Sequence, residues 1–146
     1  MSTSQSDQAK LDLQYRTLLI LWVGFLAMFL IYYFLPAVIP WQQEPANELF
    51  RIIFNVMSPL LVAISFFVKR RFLARSVEAQ DIRLVNTGFI VAAAFCEAGA
   101  LLGLLDFLVA HDRYYFIPIV FALFGLVLHF PRRIHLEAAS YKKIGA

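Results

Sequence analysis

Four long apolar runs alternate with short polar stretches along the chain, and the runs are too long for ordinary core helices. A helix rising about 1.5 Å per residue needs roughly 20 apolar residues to cross about 30 Å of hydrocarbon. Residues 17–35, 49–68, 86–110 and 114–130 meet or approach that length, so the pattern predicts four membrane-spanning helices. The second and third carry embedded polar groups, and the fourth is short. Short connections favour antiparallel neighbours. The expectation is therefore an all-α, integral membrane four-helix bundle of two antiparallel helical hairpins, a single transmembrane domain over 1–146 with short polar tails.

Composition strengthens this reading. Hydrophobic residues make up 61% of the chain and charged residues 16%, which leaves too little polar sequence to cover four such runs in water. The net charge of +3 comes from basic residues that flank the spans, with no basic stripe interleaved with aromatics, so nucleic acid is not an expected partner. Lys10, Arg16, Lys69, Arg70, Arg71, Arg75, Arg83, Arg132, Arg133, Lys142 and Lys143 fall on one side of the predicted spans, and only Arg51 and Arg113 on the other. This asymmetry predicts cytoplasmic termini and a cytoplasmic loop from Lys69 to Asn86, in a multi-pass protein of the inner cell membrane. Asp7 and Asp12 in the first sixteen residues, with no small-residue cleavage site after the apolar run, argue that the first span is retained. Tyr32, Tyr33, Trp41, Tyr114 and Tyr115 are expected as an aromatic belt at the outer interface.

The connections differ in character. Pro36, Pro40 and Pro45 predict a stiff, non-helical outer loop from Pro36 to Asn47, with Asn47 as the N-cap of the second span. His111, Asp112 and Arg113 form so short a link that the third and fourth spans must fold as a tight hairpin. Leu73, Val77 and Leu84 recur at roughly helical spacing among charges, so the basic loop either extends its flanking helices or lies along the headgroups.

The third span holds the densest chemical signal. Glu97 lies near its middle, where an ionised carboxylate costs several kcal/mol, so it should be neutral, partnered or functional. Around it stand Gly88, Ala92, Ala93, Ala94, Cys96, Ala98, Gly99, Ala100 and Gly103. Gly99 and Gly103 have the spacing of a helix-packing motif that lets backbones approach closely, within one bundle or between copies. Cys96, the lone cysteine, is expected as a packing residue.

Counting rise from Asn86 puts Glu97 roughly 16 Å above the boundary, and counting back from Lys69 puts Ser58 level with it and Asn55 a turn beyond. Pro59 cannot donate to the Asn55 carbonyl, so Asn55 is the expected partner of Glu97 at a candidate proton- or cation-binding site. The same count places Arg51 level with Asp106 as a possible ion pair. His111 and His129 lie about 27 Å apart on the fourth span, too far to clasp one haem, and His135 lies in the tail. Without metal-spaced clusters, phosphate-binding glycine loops or a nucleophile and base in sequence, no cofactor or metal is expected, and the chain is not read as an enzyme.

The stretch IVAAAFCEAGALLGLLDFLV, a lone glutamate among alanines and glycines followed by a Gly-Leu step, resembles the proton-carrying helix of the rotary ATP synthase c subunit. The resemblance implies a reversible proton carrier at Glu97 and covers one helix of four. The second span has no glycine where the c-subunit partner helix is glycine-rich, and the basic loop lacks the Arg-Gln-Pro turn. Over its whole length, including Phe130-Pro131-Arg132-Arg133, the chain is similar to small four-helix bacterial membrane proteins of unassigned activity. Two function classes follow. One is a structural or accessory subunit of a membrane complex, possible as a homo-oligomer joined through the third helix. The other is proton or small-cation translocation on Glu97.

Overall fold

The computed structural model describes residues 3–39 and 47–144, with side chains from Gln8 to Ile39 and from Asn47 to Ser140. Among these residues the chain is all-helical, with α1 Thr3–Val38, α2 Glu48–Ala79, α3 Ile82–Val109, α4 Phe116–Leu128 and α5 Arg133–Ile144. Three helices are long and apolar enough to cross a membrane: α1 over Gln8–Val38, α2 and α3. The fourth run is shorter than its apolar sequence suggests, because α4 has only 13 residues. It reaches span length only together with Arg133–Ser140, from which it is bent by 47°.

The basic loop extends its flanking helices until two residues remain to reverse the chain. Gln80 takes the left-handed conformation at φ 52°, and Asp81 N-caps α3 by accepting from the Arg83 backbone N–H at 2.9 Å. Asn47 caps α2 as expected, its side chain accepting from the Phe50 N–H, and its own N–H reaches the Ala110 carbonyl at 3.0 Å. At the α3–α4 link, His111 sits at φ 53° and Asp112 Oδ1 accepts from the Tyr114 N–H.

The end of α1 differs from expectation, since the helix continues through Pro36 to Val38. A proline so near the end of a helix interrupts only its final turn, which limits the disruption. Trp41, Pro40 and Pro45 lie outside the described residues.

Packing centres on α3 rather than on two separate hairpins. The most extensive contact is between α2 and α3, and α3 also meets α1, α4 and α5, while among the described residues α1 and α2 do not pack together. Burial ranks the helices in the same way: 44% of the most apolar stretch of α3 is buried, against 17% for α1 and 11% for α2. The two-residue turn forces α2 beside α3. The much longer link after α1 imposes no such adjacency, and the small residues of α3 offer room on several sides.

Two apolar clusters follow. Phe29, Tyr32, Ala93, Cys96, Ala100, Ile119, Ala122 and Leu126 fill the middle of the bundle. Leu11, Leu18, Val85, Phe89, Leu136 and Ala139 close its basic end, the end that carries Lys69 to Arg71 and Arg132. The sequence pattern suggested only a polar tail where α5 forms. Its 12 residues are too few for a stable isolated helix. Packing supplies what length does not: Leu136 and Ala139 are fully buried, and Arg133 pairs with Asp12 at 3.1 Å and Glu137 at 2.9 Å.

Outward faces of α1, α2 and α4 expose Ile20, Leu30, Phe34, Val56, Phe67 and Phe124. Apolar surface of this extent suits lipid. Once lipid covers it, hydrophobicity no longer drives one helix onto another, so close packing and polar links must hold the bundle.

Candidate functional site

Glu97 projects from α3 toward α1, where Tyr32 donates its hydroxyl to Oε1 at 2.9 Å. Tyr32 is therefore not part of an interfacial belt; it is 7% exposed and packs in the central cluster beside Phe29, Ala93 and Cys96. Glu97 itself is half-buried. The hydrogen bond joins the loosely packed α1 to the central helix through the one acidic group in the middle of α3.

Depth counting paired Glu97 with Asn55, and the structure gives each a different partner. Asn55 donates its side-chain amide to Asp106 Oδ2 and to the Arg51 carbonyl, both at 2.9 Å. The cause is register. An antiparallel pair takes its register from its turn, and the turn at Gln80 and Asp81 sets Phe72 against Gly88, Ser58 against Gly99 and Asn55 against Asp106. Counting from Lys69 and Asn86 as common boundaries put Ser58 level with Glu97, two residues short of Gly99, and misjudged Asn55 by more.

The expected ion pair is not closed. Arg51 lies nearest to Glu48, at 4.0 Å, and among the described residues it forms no salt bridge with Asp106. Asp106 is fully buried, with Oδ1 lacking a hydrogen-bond partner. Its backbone carbonyl accepts from the Asp112 N–H at 3.2 Å. Beside it a cleft of about 220 Å³ opens between Arg51, Asn55, Asp112 and Tyr114.

A further cluster was not legible in the sequence. His129 is 1% exposed, and its Nε2 lies 2.7 Å from Ser65 Oγ. A serine that close to an imidazole invites a nucleophile-base reading, but the hydroxyl has a second acceptor beside it. Ser65 donates its hydroxyl hydrogen to the Val62 carbonyl at 2.6 Å, an arrangement that matches the His129 tautomer with its hydrogen on Nε2. Cys96 points its thiol at the same oxygen from 3.6 Å, and Lys69 Nζ donates to the His129 carbonyl at 3.2 Å. The result is a sealed knot between α2, α3 and the end of α4.

Two simpler links complete the set. Trp22 Nε1 donates to the Leu126 carbonyl at 3.0 Å, tying α1 to α4. Ser58 donates to the Pro118 carbonyl at 3.1 Å, tying α2 to α4.

The small residues of α3 permit these approaches. A Cβ on Gly99 would lie 3.2 Å from Ser58 Oγ, and one on Gly103 would lie 2.7 Å from the Tyr115 carbonyl oxygen and 2.6 Å from Ile119 Cγ1. Gly99 and Gly103 thus serve contacts within the chain, against α2 and α4.

No family model, curated protein or solved structure matches this chain. Its functional reading rests on the residues themselves.

Proposed function

We propose that the chain is a four-span protein of the inner membrane with both termini in the cytoplasm, acting as a non-catalytic structural or accessory subunit of a membrane complex. In this reading Glu97 is a hydrogen-bonding strut between α1 and α3. The observation that carries it is the Tyr32–Glu97 bond at 2.9 Å, in a bundle where Asn55, Ser58 and Ser65 also link one helix to another. The faces of α1 and α2 turned away from α3 remain available to lipid and to neighbouring subunits, including a second copy.

Proton or small-cation exchange at Glu97 is the second reading. It is favoured by the half-burial of Glu97 and by Tyr32 holding only one of its two oxygens. Two measurements test the pair of readings. Glu97→Gln retains an acceptor oxygen for Tyr32, so under the strut reading assembly persists and a hydrophobic carbodiimide leaves the native protein unmodified. Under the carrier reading Glu97 reacts with the carbodiimide, and the glutamine variant folds yet loses transport.

Topology is checked separately. Reporter tags at either terminus and near Arg75 should signal cytoplasm, and a tag near Gln42 the outside, as the Lys/Arg distribution requires. An outside signal from either terminus would overturn the arrangement.

A further inference from the structure

One face of α3 is left uncovered. Ile90, Ala94, Leu101, Leu105 and Leu108 are all exposed, and their helical spacing puts them on the same side of the helix. Glu97 follows Ala94 by three residues and precedes Leu101 by four, so it continues this stripe as its single polar member. The other sides of α3 are taken: α2 lies against Gly88 and Gly99, α4 against Gly103, and α1 reaches Glu97 through Tyr32. The carboxylate thus stands where the α1 contact ends and the open face begins. Tyr32 holds Oε1, whereas Oε2 has no hydrogen-bond partner and, unlike Asp106 Oδ1, is not sealed inside the bundle.

A bare carboxylate oxygen near the middle of a span is costly, and a cationic side chain at the same depth relieves that cost by pairing with it. The chain carries no such group on its own outward surface. Between Leu18 and Ile31 of α1, between Ile52 and Phe67 of α2 and between Phe116 and Leu128 of α4, every exposed residue is apolar or glycine. A second copy would therefore bring to Glu97 only hydrocarbon or another carboxylate. The complement has to come from a different polypeptide.

We propose that the open face of α3 docks a transmembrane helix of another protein, one that carries a lysine or arginine near mid-bilayer to pair with Glu97 and packs apolar residues along Ile90, Ala94, Leu101 and Leu105. This names the chemistry of the neighbour that the accessory-subunit reading requires, and it rests on that reading. Tyr32 then has a second effect: by holding Oε1 on the α1 side it leaves Oε2 for the partner. Covered in this way, Glu97 is out of a carbodiimide's reach in the native complex.

The test places the full-length chain, labelled with a donor fluorophore, in phosphatidylcholine vesicles with acceptor-labelled synthetic Leu/Ala transmembrane peptides that have lysine at the centre, leucine at the centre, or the lysine near one end. Energy transfer should show the lysine-centred peptide binding about ten-fold more tightly than either of the others. Glu97→Gln keeps an acceptor for Tyr32, so it should unfold like the parent yet lose the preference for lysine. Ala94→Trp, on the exposed stripe one turn from Glu97, should weaken binding about ten-fold by crowding the face. Leu60→Trp, exposed on α2, should change it less than about two-fold. Equal binding of the lysine- and leucine-centred peptides, or a lysine preference that survives in Glu97→Gln, would overturn the proposal. So would self-association of the chain that depends on Glu97 without any peptide, since a second copy would then be the occupant. The Tyr32–Glu97 bond is tested by unfolding without peptide, so a failed strut and a failed docking face give different results.

Discussion

Replacing Gly103 with valine should push α4 away from α3 and destabilise the bundle by about 1–3 kcal/mol, the range for overpacking a filled interior. The reason is geometric. A Cβ at this position would stand 2.7 Å from the Tyr115 carbonyl oxygen and 2.6 Å from Ile119 Cγ1, and the first of these is backbone that no rotamer change can move. Because α4 has only 13 residues and meets α3 more extensively than any other helix, moving it disturbs the Ser58–Pro118 and Trp22–Leu126 bonds as well. Gly24 on α1 is the control: nothing lies within 4 Å of a Cβ there, so Gly24→Val should stay within about 0.5 kcal/mol of the parent. Heat or dodecyl sulfate unfolding in detergent, followed by far-UV circular dichroism, distinguishes the two. Equal effects at Gly24 and Gly103 would mean that α3 and α4 are not in close backbone contact.

The helices were largely legible in the sequence because membrane-length apolar runs leave few alternatives. The cap at Asn47, the helical character of the basic loop and the small-residue face of α3 followed from local chemistry that tertiary contacts did not alter. Which residues meet was less legible, for separate reasons. Register between α2 and α3 depends on where the chain turns, and the sequence between Lys69 and Asn86 offers no glycine or proline to mark Gln80 and Asp81 as the turn. A count from assumed boundaries therefore slipped, giving Asn55 to Glu97 and missing the Asn55–Asp106 bond.

Tyr32 was misplaced for a different reason: tyrosine suits both a membrane interface and a buried hydroxyl donor, and only the position of α1 beside α3 decides between them. The Ser65–His129 knot joins residues 64 positions apart and leaves no local trace. The helix α5 was hidden by its charge, since Leu136 and Ala139 are a weak apolar signal until Leu11, Leu18, Val85 and Phe89 are beside them.

Loss of Glu97 should have the second large effect. Glu97→Leu leaves the buried Tyr32 hydroxyl without its acceptor, at a cost of about 1–3 kcal/mol. Tyr32→Phe removes the same bond from the other side while keeping the ring in the central cluster, so its cost should be smaller, near the average of about 0.6 kcal/mol for hydrogen bonds between membrane helices and below about 1.7 kcal/mol. A glutamine at position 97 can still accept from Tyr32 and should fall nearest to the parent. Those three values would establish that the residues matter, but not that they matter to each other.

The direct measurement is a double-mutant cycle over Tyr32→Phe and Glu97→Leu, read by reversible unfolding in detergent. A strut between α1 and α3 requires the double variant to be less destabilised than the sum of the single variants, with a coupling on the order of 1 kcal/mol. Additive losses, with no coupling between positions 32 and 97, would contradict a strut at Glu97.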